Sequence, residues 1–103
     1  MEFSLNIVAI VQARMSSSRL PGKVLLPLAG KPVLGHIVER LSHSQLVDKT
    51  IVATSLESTD DPIAQFCVDN KIHCFRGSLD DVLDRYYQAS KSMNADVIVR
   101  ITG

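Results

Sequence analysis

The feature that most constrains this chain is a short apolar run that passes at once into a cationic loop. Residues 6–11, "NIVAIV", are followed by "QARMSSSRLPGK" at residues 12–23. A continuous β-branched run suits a strand buried on both faces of a sheet. A loop leaving such a strand is the usual place to hold phosphates, because its backbone N–H groups and small side chains let an anion approach closely. Residues 3–38 contain no Asp or Glu, yet Arg14, Arg19, Lys23 and Lys31 all fall there. The formal net charge of the whole chain is zero. A neutral protein has no bulk attraction for nucleic acid or anionic membrane, so the basic segment reads as a local anion site.

The rest of the chain repeats the opening rhythm. Further apolar runs at residues 49–54, 71–75 and 96–101 predict strands, and helical spacing fills the gaps between them. Pro32 suits the first turn of a helix that turns Val33, Leu34, Ile37, Val38 and Leu41 inward. Thr59 or Asp60 can cap the next helix, with Pro62 near its start and Ile63, Phe66 and Cys67 inward. Ser78 with Asp81 resembles a capping box, and Val82, Leu83, Tyr86 and Met93 give the third helix an apolar stripe. Of the adjacent Tyr86 and Tyr87, one is expected inside and one outside. The residues from Pro27 through "LAGKP" read as a turn.

The order β-α-β-α-β-α-β predicts an α/β fold of three layers: a Rossmann-like parallel sheet covered by helices through right-handed crossovers. Ligands of such sheets bind beyond the carboxyl ends of the strands. The 103 residues suffice for one small domain. They end at Gly103 as the chain leaves its fourth strand, whereas a complete small domain more naturally finishes with a helix. The expectation is an N-terminal part of a longer protein, truncated naturally or by design of the expressed segment.

Several functions lack their signatures. No apolar run approaches the ~18 residues of a membrane span, and "NIVAIV" lacks the flanks of a signal peptide. A cytoplasmic protein with no membrane partner is expected. Aromatics are not interleaved with cations, which argues against nucleic acid. Cys67 and Cys74 read as buried free thiols, and His36, His43 and His73 have no ligand spacing. Asp80, Asp81 and Asp84 suit the positive end of a helix better than a metal site. The loop is no Walker A motif: no Gly stands five residues before Gly22, and Val24 replaces the magnesium-binding Ser or Thr. No GxGxxG follows the strand.

What the loop does offer is hydroxyl donors without bulk from Ser16, Ser17 and Ser18, and backbone freedom at Gly22. Arg14 and Arg19 can each grip phosphate oxygens with two donors, and Lys23 adds a point charge. This set suits a triphosphate. A solvated basic loop is the plain alternative.

The stretch "IVQARMSSSRLPGKVLLPLAGKPVLGHIVERL" resembles the opening motif of the sugar-nucleotide cytidylyltransferases, A-R-x-x-S-x-R-L-P-x-K followed by G-K-P-L. These include the acylneuraminate and deoxy-manno-octulosonate cytidylyltransferases. The resemblance runs the length of the chain. It is nearest to the branch of spore coat polysaccharide biosynthesis protein F, through "VATS", "DDPI", "DDVLDRYY" and "ADVIVRITG". It implies the nucleotide-diphosphosugar transferase fold of glycosyltransferase A type, of which residues 1–103 are the nucleotide-binding N-terminal part. It also implies CTP, Mg2+, transfer of CMP to a sugar acid with release of pyrophosphate, and a possible homodimer. Arg14, Ser17, Arg19 and Lys23 match the family's phosphate loop, with Arg14 and Lys23 in catalytic roles. Ala13 matches the place where backbone approaches the base. Arg76 and Arg85 lie near a nucleotide-contacting segment, though "RGSLDDVLDR" departs from the family's R-x-D-H-x-S-G-T-x-R. The family's first metal aspartate would follow Gly103, so no metal ligand is expected within the chain. Two alternatives share the fold or the loop: a glycosyltransferase using a nucleotide sugar, and a non-catalytic nucleotide-binding fragment.

Overall fold

The structure is a computed structural model that describes residues 5–16 and 22–102. A first strand, β1 (Ile7–Gln12), leads through the basic loop and a short 3-10 turn, Lys23–Leu25, into a two-stranded hairpin. The hairpin strands are β2 (Pro27–Leu28) and β3 (Lys31–Pro32). Then come α1 (Val33–Ser42), β4 (Lys49–Ser55), α2 (Asp61–Asp69), β5 (His73–Gly77), α3 (Val82–Ser92) and β6 (Val97–Thr102). The main sheet has the order β5-β4-β1-β6, and every pairing is parallel.

β1 is central, and its apolar run explains why. Val8, Ala9, Ile10 and Val11 are all fully buried. Alternate residues feed two cores. Val11 joins Val52, Leu34, Ile63 and Cys67 beneath α1 and α2. Val8 and Ile10 join Ile51, Ala53, Tyr86 and Ala89 beneath α3. Each large aliphatic so buried contributes roughly 1.5–3 kcal/mol. The expected three layers are therefore present.

The crossovers place the ligand crevice. The chain steps from β1 to β4 to β5 on one side, then α3 carries it back past both to β6 on the other side of β1. The strand order thus reverses between β1 and β6, and open α/β sheets bind ligands at the carboxyl ends flanking such a reversal. Among the described residues β6 is the edge there, with Val97, Ile98 and Val99 each exposed. No helix among the described residues is long and apolar enough to cross a membrane.

Some local expectations shift. β1 starts one residue late because Asn6 is used as a clamp: its side-chain amide donates to the Met93 and Asn94 carbonyls, 2.9 Å each. β5 starts at His73, not Lys71, because Lys71 takes φ +57° in closing α2 and Ile72 N–H returns to the Cys67 carbonyl. The turn after Pro27 is a tight hairpin whose two central residues, Ala29 and Gly30, both have positive φ. That geometry matches the twist of the flanking strands. Pro32 stands at the N-cap of α1 rather than within its first turn.

The α3 reading needs the largest correction. The Ser78 hydroxyl does accept the Asp81 N–H, at 3.3 Å, but the residue at the N-cap of the helix is Asp81, whose carboxylate accepts the Asp84 N–H at 2.9 Å. Val82 and Leu83 are exposed, and α3 instead turns Arg85, Tyr86 and Ala89 onto the sheet. A buried arginine takes the inward place because backbone carbonyls there satisfy its donors. Tyr86 is inside and Tyr87 outside, as expected.

Candidate functional site

The chain leaves β1 through Ala13, which is buried and extends the ladder by donating to the Ala53 carbonyl at 3.0 Å. Arg14 follows, half-buried. Met15 then closes the loop on itself: its carbonyl accepts the Gly22 N–H at 2.6 Å. Gly22 takes φ +76°, a left-handed conformation natural to glycine. Lys23 opens the 3-10 turn with an exposed side chain, while Val24 anchors that turn in the core. The result is a loop with a fixed mouth between Met15 and Gly22. Ser17 and Arg19 lie outside the described residues. A cavity of ≈ 450 Å³ adjoins the mouth, lined by Met15, Ser16, Gly22 and Thr59.

What fixes the mouth is Asp60. Its carboxylate is fully buried and uses both oxygens. Oδ1 accepts the Met15 backbone N–H at 2.7 Å, and Oδ2 accepts the Ser55 hydroxyl. Asp60 does stand at the N-cap of α2, but its side chain makes no capping bond. A charge-assisted bond to the loop replaces the expected cap. The acid missing from the basic segment is thus supplied from across the fold.

The two arginines beyond the loop are both engaged by the chain itself. Arg76 donates from Nε to the Ser55 carbonyl at 2.8 Å and from Nη2 to the Glu57 carbonyl at 2.9 Å. Nη2 also pairs with the Asp61 carboxylate at 2.8 Å. Arg76 therefore ties β5 to the segment leaving β4 and to the start of α2. Arg85 is fully buried, with Nη1 donating to the carbonyls of Ser78 and of Leu79, the latter at 2.6 Å. Burial lowers its pKa from the ordinary guanidinium value, and the like charge of Arg14 adds to this. Asp60 and Asp80 oppose the shift. Ala13, Arg14 and Arg85 thus gather at the carboxyl end of β1. Arg76 belongs to the β4–β5 side, and Lys23 to the far side of the loop mouth.

Residue types alone did not reveal Asp60, Ser55 or Gln12 as parts of this region. "TDDP" gave a helix start as the sufficient reason for its acids, and nothing local shows that one of them reaches back 45 positions to Met15. Among the described residues no group of three or more His, Cys, Asp or Glu is placed to hold a metal. His36 and His43 share one face of α1 with Arg40 beside a hollow of ≈ 470 Å³, away from the loop. His36 Nε2 bonds the Leu28 carbonyl, which ties α1 to the hairpin. Cys67 and Cys74 are free thiols packed in one core cluster.

Comparison with known proteins identifies the family and the fold. The family profile described as cytidylyltransferase matches residues 8–103. Spore coat polysaccharide biosynthesis protein SpsF of Bacillus subtilis (strain 168) is 40% identical over 102 residues, which span 95% of this chain and 42% of that protein. A solved cytidylyltransferase from Leptospira borgpetersenii superposes with a TM-score of 0.88 at 39% identity, covering 96% of this chain and 42% of the other. The structure of CMP:2-keto-3-deoxy-manno-octonic acid synthetase complexed with CTP superposes with a TM-score of 0.75 at 28% identity, covering 94% and 39%. The chain spans about two-fifths of the length of the relatives it matches.

Proposed function

Because the chain belongs to the cytidylyltransferase family, we propose that it forms the triphosphate-holding part of an enzyme of surface polysaccharide synthesis. That enzyme transfers CMP from CTP to a sugar acid. The observation that carries this reading is the closed mouth at Met15 and Gly22, pinned by Asp60 and flanked by Arg14 and Lys23. The structural relative solved with CTP supports the choice of nucleotide.

In the proposed reaction an oxygen of the sugar acid attacks the α-phosphorus of CTP. A phosphorus–oxygen bond forms to the sugar, the bond to the bridging oxygen breaks, and pyrophosphate leaves with the charge. The attacking hydroxyl gives up its proton to solvent water. Catalysis of this kind is mainly positioning and charge neutralisation. Arg14 and Lys23, joined by Ser17 and Arg19, stabilise the β- and γ-phosphates as charge develops on the leaving group. The backbone at Ala13 lies beside the base. Arg76 and Arg85, whose donors are largely taken by the chain, support the nucleotide site from beneath.

Mg2+ belongs to the same proposal, since magnesium typically takes one or two protein carboxylates together with substrate phosphates. The carboxylates near the loop do not fit that task. Both Asp60 oxygens are engaged, and Asp81 caps α3. No step is assigned through the ion. A cytoplasmic location, which use of CTP would suit, is part of the same proposal. A homodimer belongs to the same proposal and is tested by sedimentation equilibrium on the protein extended to the length of its relatives.

The test of the reaction is pyrophosphate release from CTP with a panel of sugar acids and Mg2+, by this chain and by the protein extended to the length of its relatives. Release is expected from the extended protein and not from residues 1–103 alone. Transfer from a nucleotide sugar with no release from CTP would make it a glycosyltransferase instead.

A further inference from the structure

The strand reversal between β1 and β6 is flanked by two residues that end their strands as register partners, Gln12 and Thr102. Thr102 is exposed and Gln12 half-buried. Gln12 is two residues beyond Ile10, so it shares the α3 face of the sheet, where it meets Arg85. With the Gln12 amide oxygen turned toward the guanidinium, that oxygen accepts from Arg85 Nε at 3.0 Å and also from Nη2. The reverse orientation sets an NH2 group against two N–H donors. A guanidinium has no acceptor to offer, so the oxygen is the limb of the amide that must face it. Arg85 cannot swing away, because Nη1 is held by the Ser78 and Leu79 carbonyls and the residue is fully buried.

This locks the outward chemistry of Gln12. Its acceptor is consumed, and its NH2 group is left with only donors to offer. Arg14 and the phosphate loop begin two residues further on, roughly 7 Å of extended chain. On the nucleotide reading above, in which the backbone at Ala13 lies beside the base, the base falls next to Gln12 at the ends of β1 and β6.

Building on the nucleotide reading above, we propose that Gln12 reads the base and that Arg85 is the positioning residue that makes Gln12 a donor. A donor-only amide favours a pyrimidine with an acceptor at ring N3. Cytosine carries a lone pair there, with another acceptor at O2. Uracil carries N3–H, which sets donor against donor. Arg85 then contributes to specificity without touching the ligand.

The experiment is calorimetric titration of CTP and of UTP, each with Mg2+, into the wild-type chain and into Gln12→Leu and Gln12→Glu, with thermal midpoints recorded alongside. The wild type is expected to bind CTP roughly five- to tenfold more tightly than UTP, the worth of one hydrogen bond. Gln12→Leu should bring the ratio close to one. Gln12→Glu keeps the shape and still accepts from Arg85, but faces the crevice with an acceptor, so its ratio should fall below one. Where the Leu variant does not fold, the near-isosteric Glu variant decides. A purely structural role would weaken both nucleotides equally and leave the ratio unchanged, and that result in the Glu variant overturns the proposal. Wild-type protein binding CTP and UTP alike overturns it while leaving the nucleotide site standing. Binding of neither overturns the nucleotide reading and this inference together.

Discussion

The carboxylate of Asp60 accepts the backbone N–H of Met15 at 2.7 Å, joining the start of α2 to the loop that leaves β1. The same carboxylate takes the Ser55 hydroxyl at the end of β4. Two adjacent strands and the basic loop therefore share one buried carboxylate, set beneath a segment rich in cations. Replacing Asp60 by Ala should orphan both donors, at about 1–3 kcal/mol each where they stay buried. Asp60→Asn keeps an acceptor toward Met15 and should cost less. Urea unfolding orders the three proteins wild type, Asn, Ala, and CTP affinity should follow the same order. Full CTP affinity in a folded Asp60→Ala variant would show that the loop holds its shape without the tether.

Lys23 presents the opposite balance. Its side chain is exposed and its neighbour Val24 supplies the packing. Lys23→Ala should leave the thermal midpoint unchanged and weaken CTP–Mg2+ binding by one to two decades. That is the ~1.5–3 kcal/mol typical of a hydrogen bond to a charged group. Equal calorimetric affinities in variant and wild type would remove Lys23 from the site.

The thiol pair should make the fold lose stability at alkaline pH. The contact with Cys74, and then burial, pushes the Cys67 thiol above its ordinary value of 9.0. The same contact draws Cys74 down, with burial opposing and Arg76 assisting. The unfolded chain releases both protons around pH 9, whereas the folded chain keeps the one on Cys67. Above about pH 9 the folded state binds more protons, so stability falls as pH rises. Cys74, depressed, works the other way: its contribution is complete above the unfolded value and is lost as pH falls through the folded one. Under reducing conditions the urea midpoint of wild type should decline above about pH 9 more steeply than that of Cys67→Ala. Parallel declines would mean that the pair does not control the slope.

Much of this was legible in the sequence because its signals are local. "NIVAIV" announces a doubly buried strand, and Val8 to Val11 are indeed sealed on both faces. The parallel order follows from alternation with helices. The roles of Asp60, Gln12 and Arg85 were less legible because each depends on a partner far along the chain. Asp60 looks like a helix cap until Met15 is brought to it. Arg85 looks like a solvated or ligand-gripping cation until the Ser78 and Leu79 carbonyls close around it. Val82 and Leu83 misled for the same reason: a buried arginine shifted the inward face of α3 away from the apolar stripe.

The central claim is that the loop between β1 and the Lys23 turn holds the triphosphate. The most direct measurement is a titration of CTP–Mg2+ into isotopically labelled protein, followed through the backbone amide resonances. The account predicts saturable shifts concentrated at Ala13, Arg14, Met15, Gly22 and Lys23 and fading toward the amino ends of the strands. Shifts centred on His36, Arg40 and His43 of α1, with the loop amides unmoved, would contradict it.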